Sequence, residues 1–163
     1  DLAFLAAGLP VLLYHGPRVL PCDGRSAHVY VDVSGSVSDS IGSVFAALDG
    51  LRDLVADPLH AFSTVVLDCT RDQLASGTYR TTGGTDFSPV LAHALAAGHA
   101  QIVVVTDGRG RLDPGTAEAF RASGMGLHLV LTDAGRRGGS RVGLADLARS
   151  IGVLGDSENG GVG

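Results

Sequence analysis

The run Ala100 to Thr106 (Ala-Gln-Ile-Val-Val-Val-Thr) is almost continuously apolar, and it limits the possible folds more than any other stretch. A strand of this kind has no polar face to turn toward water. It must be covered on both sides, as strands of parallel sheets are. Ala27 to Val33, Ala61 to Leu67 and Gly126 to Thr132 read as further strands, and Tyr79 to Thr82 as a short edge strand. Helical patterns fall between them. Apolar residues recur at Ile41, Val44, Phe45, Leu48, Leu51 and Val55 until Pro58 stops the run, with Ser38 or Asp39 placed to cap it. Phe87 to Ala97 is a second helix, with Pro89 near its start and Gly98 at its end. Gly115 to Ser123 and Leu144 to Ile151 read as two more. Alternation of this kind predicts an α/β three-layer sandwich with a mostly parallel central sheet and helices on both faces.

The chain has 163 residues, enough for one domain with one core. We expect an N-terminal extension over 1–25, in which Val11 to Tyr14 could form a strand. A single folded domain over 26–153 and a flexible tail over 154–163 would follow. No apolar run reaches the ~18 residues that a membrane span needs. Leu2 to Leu13 lacks the basic start and cleavage site of a signal peptide. The chain begins at Asp1, so it reads as a piece of a longer protein. Cys22 and Cys69 match no zinc spacing and read as two unpaired buried thiols in a reducing compartment, with one disulfide as the alternative, which gives a cytoplasmic expectation. The net charge is −5 and the arginines are scattered, with small clusters at Arg109/Arg111 and Arg136/Arg137/Arg141, which argues against a nucleic-acid surface. All twelve basic residues are arginine. Lysine chemistry, whether a Schiff base or a phosphate-loop lysine, is therefore excluded.

Five oxygen-bearing side chains then stand out. Asp32, Ser34 and Ser36 leave the first strand in Asp-Val-Ser-Gly-Ser; Thr85 lies in Gly-Gly-Thr-Asp; Asp107 follows the apolar run in Thr-Asp-Gly. Open parallel sheets bind ligands beyond the carboxyl ends of their strands, so these loops can reach one edge. Alternate positions let Asp32, Ser34 and Ser36 point the same way. Two carboxylates and three hydroxyls suit a hard divalent cation such as Mg²⁺ or Mn²⁺, which prefers oxygen and keeps several waters. Each motif alone is ordinary: Asp and Ser cap helices, and Thr-Asp-Gly makes turns. Asp86 fits either an orienting role beside Thr85 or a helix cap. Asp68, at a strand end, could approach the same edge, whereas Asp133 reads as a turn residue. The six histidines show no ligand spacing, and His28 and His128 read as satisfied strand residues.

Taken together, Asp32-Val33-Ser34-Gly35-Ser36, Gly84-Thr85-Asp86 and Thr106-Asp107-Gly108 resemble the metal-ion-dependent adhesion site of von Willebrand factor type A (VWA) domains. The resemblance spans about Ala27 to Ile151. It implies a Rossmann-like sheet with one antiparallel edge strand, direct metal ligation by Ser34 and Ser36, and direct or water-mediated ligation by Asp32, Thr85 and Asp107. Gly83 to Val90 with Val105 to Gly110 is also similar to the VWA-like domain that follows a predicted metallopeptidase region in bacterial proteins. No His-Glu-x-x-His occurs here, so peptidase activity does not carry over. The implied function is a metal-dependent protein-binding module, not an enzyme, completed by an acidic side chain of a partner protein. A peptidase or an AAA-type ATPase is open as that partner. The competing reading is a Mg²⁺-dependent hydrolase or phosphoryl-transfer domain using Asp32.

Overall fold

A computed structural model describes residues 27–50, 52–132 and 143–154. Its centre is a six-stranded sheet in the order β3-β2-β1-β4-β5-β6. The strands are β1 (His28–Asp32), β2 (Leu59–Phe62), β3 (Val66–Cys69), β4 (Gln101–Thr106), β5 (Gly126–Leu131) and β6 (Ser150–Val153). Every pairing is parallel except that of β2 with the edge strand β3. The helices are α1 (Ile41–Gly50), α2 (Arg71–Ser76), α3 (Ser88–Ala97) and α4 (Pro114–Ser123).

Strand alternation sends successive side chains to opposite faces, and two cores result. Val29, Val31, Val33, Leu59 and Ala61 pack with Ile41, Val44 and Leu48 of α1 and Leu74 of α2. Tyr30, Phe62, Ile102, Val104, Leu127 and Leu129 pack with Val90, Leu91 and Ala94 of α3 and Phe120 of α4. The sheet is therefore covered on both sides, and this is the α/β, Rossmann-like sandwich expected from the alternation.

Four local expectations need correction. The run Ala61 to Leu67 is not one strand: it bends at Ser63–Val65 into the β2–β3 hairpin. The short edge strand expected at Tyr79 to Thr82 does not form, and the antiparallel edge is β3. Thr70 caps α2, a helix that the apolar periodicity does not announce, through a reciprocal box with Gln73. The first helix stops at Gly50 and Val55 instead bridges Ala27, while neither Ser38 nor Asp39 supplies a side-chain cap. Leu51 lies outside the described residues. Leu144 to Ile151 is not a helix. A single 3-10 turn at Ala145–Leu147 leads into β6, where parallel pairing with β5 outweighs local propensity.

α3 and α4 match expectation. Pro sits at the start of each, and glycines in the left-handed conformation, Gly98 and Gly124, end them. His128 is satisfied as expected, bonded to Ser150 at 2.7 Å and Gln101 at 3.1 Å. Cys69 is a buried free thiol. The suggested strand Val11 to Tyr14, Cys22, Asp133 and the Arg136/Arg137/Arg141 cluster lie outside the described residues, as do the proposed extension and most of the proposed tail.

Candidate metal centre

β1 is the point where strand order turns. The chain goes to β2 on one side of it and later to β4 on the other. Asp32 ends β1 and Asp107 follows β4, so both carboxylates stand over the crevice that such a reversal opens. Both are almost wholly buried, Asp32 at 0% and Asp107 at 2% exposure.

Two donors hold the Asp32 carboxylate. The Ser34 backbone N–H donates to Oδ1 at 2.9 Å, and the Thr106 hydroxyl donates to Oδ2 at 2.6 Å. Thr106 lies one position beyond the paired residues Val31 and Val105, which brings its side chain beside Asp32. Its oxygen also accepts the Gly108 N–H at 3.1 Å, so one hydroxyl fixes both the first aspartate and the turn carrying the second. Burial pushes the Asp32 carboxyl above its ordinary value. The bonds from Thr106 and Ser34 oppose that shift, and the nearby Asp107 adds to it. Among the described residues neither carboxylate has an ion-pair partner.

Asp107 uses Oδ1 to accept the Arg109 backbone N–H at 2.9 Å, but its Oδ2 is buried with no hydrogen-bond partner among the described residues. An orphaned carboxylate oxygen is costly unless something positive faces it. Ser34 is buried, Ser36 is exposed, and their hydroxyl oxygens lie 3.3 Å apart.

The third loop is tied to the same edge. Asp86 N–H donates to the Ser63 carbonyl at the end of β2, and Thr82 is bonded to the Ser63 hydroxyl at 2.8 Å. On the other side, Arg111 N–H donates to the Thr85 carbonyl at 3.1 Å, and Phe87 N–H to the Arg111 carbonyl at 2.8 Å. This short bridge holds Thr85, half-buried, against the chain that has just left Asp107. The approach requires glycine at position 110: a Cβ there would stand 2.9 Å from Thr85 Cγ2 and 2.6 Å from Phe87 Cε2. Gly83, at φ +87°, makes the turn before it.

All five expected residues therefore lie at the carboxyl edge of the sheet, Asp32 closing β1 and the other four on the loops. Asp86 acts at the helix start, accepting the Ser88 N–H at 2.9 Å, and also faces Arg111 at 3.4 Å. Asp68 is a correction. Antiparallel pairing places it opposite His60, bonded to that ring at 3.1 Å, and not at this edge. Thr106 and Gly110 were not singled out in the sequence. Their only signal there is adjacency to Asp107, because Thr106 acts across strands and Gly110 through an absent side chain.

No family model matches the chain, and no curated protein matches it. Among solved structures, the chain is similar to an aerotolerance-related membrane protein from Bacteroides fragilis NCTC 9343 carrying multiple mutations to serine, with a TM-score of 0.59 at 14% identity, covering 82% of this chain and 92% of that one. At this identity the likeness concerns the fold. No helix among the described residues is long and apolar enough to cross a membrane.

Proposed function

We propose that the domain is a VWA-like, divalent-metal-dependent protein-binding module. Asp32, Ser34, Ser36, Thr85 and Asp107 would hold Mg²⁺ or Mn²⁺, directly or through water. The observation that carries this reading is the unpartnered, buried Oδ2 of Asp107 beside a second buried carboxylate. A hard cation at that point would satisfy the orphaned oxygen and offset the desolvation of both acids. The donor set fits such an ion, since every atom offered is oxygen.

When bound, the ion would supply a charge that only two protein carboxylates oppose, and an exchangeable ligand position suited to an Asp or Glu of a partner protein. The chain's own residues do the rest. Thr106 and the Ser34 amide orient Asp32, the Gly108 turn presents Asp107, and the Thr85–Arg111 bridge sets the third loop. Binding is favoured over phosphoryl transfer because both Asp32 oxygens are already engaged by donors, which leaves a poor nucleophile. The chain also has no lysine to stabilise a phosphate.

The test uses Mn²⁺ as a paramagnetic probe. Mn²⁺ should bind once, compete with Mg²⁺, and be lost in Asp32→Asn. The water-proton relaxation of bound Mn²⁺ should then fall when acetate or a Glu-containing peptide displaces a coordinated water. Tight Mn²⁺ binding unaffected by Asp32→Asn and Ser36→Ala would overturn the proposal. Robust phosphatase turnover lost in Asp32→Asn would favour the enzyme reading instead.

A further inference from the structure

Sequence spacing gives no hint of a histidine site, yet the fold collects four histidines at the end of the sheet opposite Asp32. His28 opens β1 and His60 lies in β2. Both share the face that α3 covers, since Tyr30 and His60 are in register. α3 supplies His93 from its middle, and His99 follows its C-terminal Gly98. His28 stands four residues before Asp32, roughly 13 Å along the strand at 3.3 Å per residue.

His28, His60 and His99 each offer a ring nitrogen, and the three nitrogens lie within 4.8 Å of one another. His60 is 4% exposed. Its Nδ1 is bonded to the Asp68 carboxylate at 3.1 Å, while its Nε2 is buried without a partner among the described residues. His28 Nδ1 and His99 Nε2 are likewise buried and unpartnered. A carboxylate holding one imidazole nitrogen while the other is left free is the arrangement that orients metal-binding histidines. A second overlapping set, His60, Asp68 and His93, meets the same distance limit. His93 is steadied by the Tyr30 hydroxyl, 2.8 Å from its Nδ1.

We propose that His28, His60 and His99 form a second metal site, for a borderline transition ion of the Zn²⁺ class, with His93, Asp68 or water completing the shell. Stacked histidines without a ligand are the plain alternative. His28 and His99 do stack, with centroids 3.4 Å apart and planes 12° apart. Among the described residues, stacking leaves three buried nitrogens unmatched, each at the desolvation cost of an unmade hydrogen bond. A cation suits these rings because they are held uncharged: burial lowers the pKa of all three, and for His99, where His28, His60 and His93 add to it, the value is about 4. Tetrahedral Zn²⁺ with bonds of about 2.1 Å wants nitrogens about 3.4 Å apart. Nitrogens within 4.8 Å of one another would reach that spacing by rotation of the rings about their χ2 bonds on binding. Imidazole suits Zn²⁺, Cu²⁺ or Ni²⁺ and not Mg²⁺, so the two ends of the sheet select different ions. The site would pin the C-terminal end of α3 to β1 and β2, while the same helix starts three residues after Thr85.

The test is a Co²⁺ titration of the full chain, stripped of metal and then kept in excess Mg²⁺ to occupy the oxygen site. We expect one equivalent to bind with the intense visible bands of a tetrahedral nitrogen-rich centre, displaced by Zn²⁺. His99→Gln and His28→Gln should abolish the bands with the circular dichroism of the fold retained. Asp68→Asn should weaken binding about 10–100-fold. Asp32→Asn and Ser36→Ala should leave it intact, which keeps this proposal separate from the oxygen site. Weak octahedral bands only, or bands that persist unchanged in His99→Gln, would overturn it. So would loss of the bands in Asp32→Asn.

Discussion

Replacing Asp32 with Asn should produce opposite effects with and without metal. In chelator, the Ser34 amide can still donate to the Asn side-chain oxygen. The Thr106 hydroxyl, which now donates to Oδ2 and accepts from Gly108, would lose its acceptor. One lost hydrogen bond costs about 1 kcal/mol. Against it stands removal of a fully buried charge next to Asp107. Because the Asp32 carboxyl is held above its ordinary value, burial and repulsion outweigh the bonds that favour its charged form. The metal-free variant should therefore be at least as stable as wild type. With Mg²⁺ or Mn²⁺ at a hundredfold excess over Kd, wild type gains ~2.7 kcal/mol and the variant gains almost nothing. For a domain of this size that corresponds to a rise of roughly 5–10 °C in Tm for wild type alone. Thermal unfolding of both proteins in EDTA and in Mn²⁺ checks this. If Asp32 were a structural anchor, the variant would lose ~3 kcal/mol or more in EDTA. That loss, with the same metal response in both proteins, would refute the reasoning.

Thr106→Val leaves an Asp32 oxygen and the Gly108 N–H without partners, so urea unfolding should show a loss of roughly 2–4 kcal/mol, largely restored in Thr106→Ser. Gly110→Ala must push Phe87 and Thr85 aside; a stability loss of about 1–3 kcal/mol should accompany weaker Mn²⁺ binding in calorimetry. The pH profile of the metal-free protein should reflect the histidine cluster, where Tyr30 and Asp68 also face the rings. His28, His60 and His99 titrate lower in the fold than in the unfolded chain. The unfolded chain therefore takes up protons that the fold rejects, and stability should fall as pH drops from about 6.5 toward the His99 value of about 4. His99→Gln should flatten that decline in denaturant melts made in an Asp32→Asn background, because the raised Asp32 carboxyl titrates in the opposite sense; a gain of stability on acidification in that background would contradict the assignment.

Much of this molecule follows from local pattern. The apolar run 100–106 specified a strand buried on both faces, because no polar side was available to meet water. Pro89 and Gly98 bounded α3, since the signals are local backbone restraints. The placement of Asp32, Ser34, Ser36, Thr85 and Asp107 at one edge of the sheet was legible for a related reason: each sits at or just beyond an element end that periodicity could locate. The structure alone decided what depends on partners distant in the chain. Val66 to Cys69 became the antiparallel edge because it could pair back on β2, and Ser150 to Val153 became a strand because β5 presented an open edge. Thr106 reached Asp32 only through register between β1 and β4. The histidines met because parallel strands bring residues 28 and 60 to one face and α3 returns residues 93 and 99 over it. A spacing of tens of residues carries no such information, since contact across a sheet is set by register and not by separation along the chain.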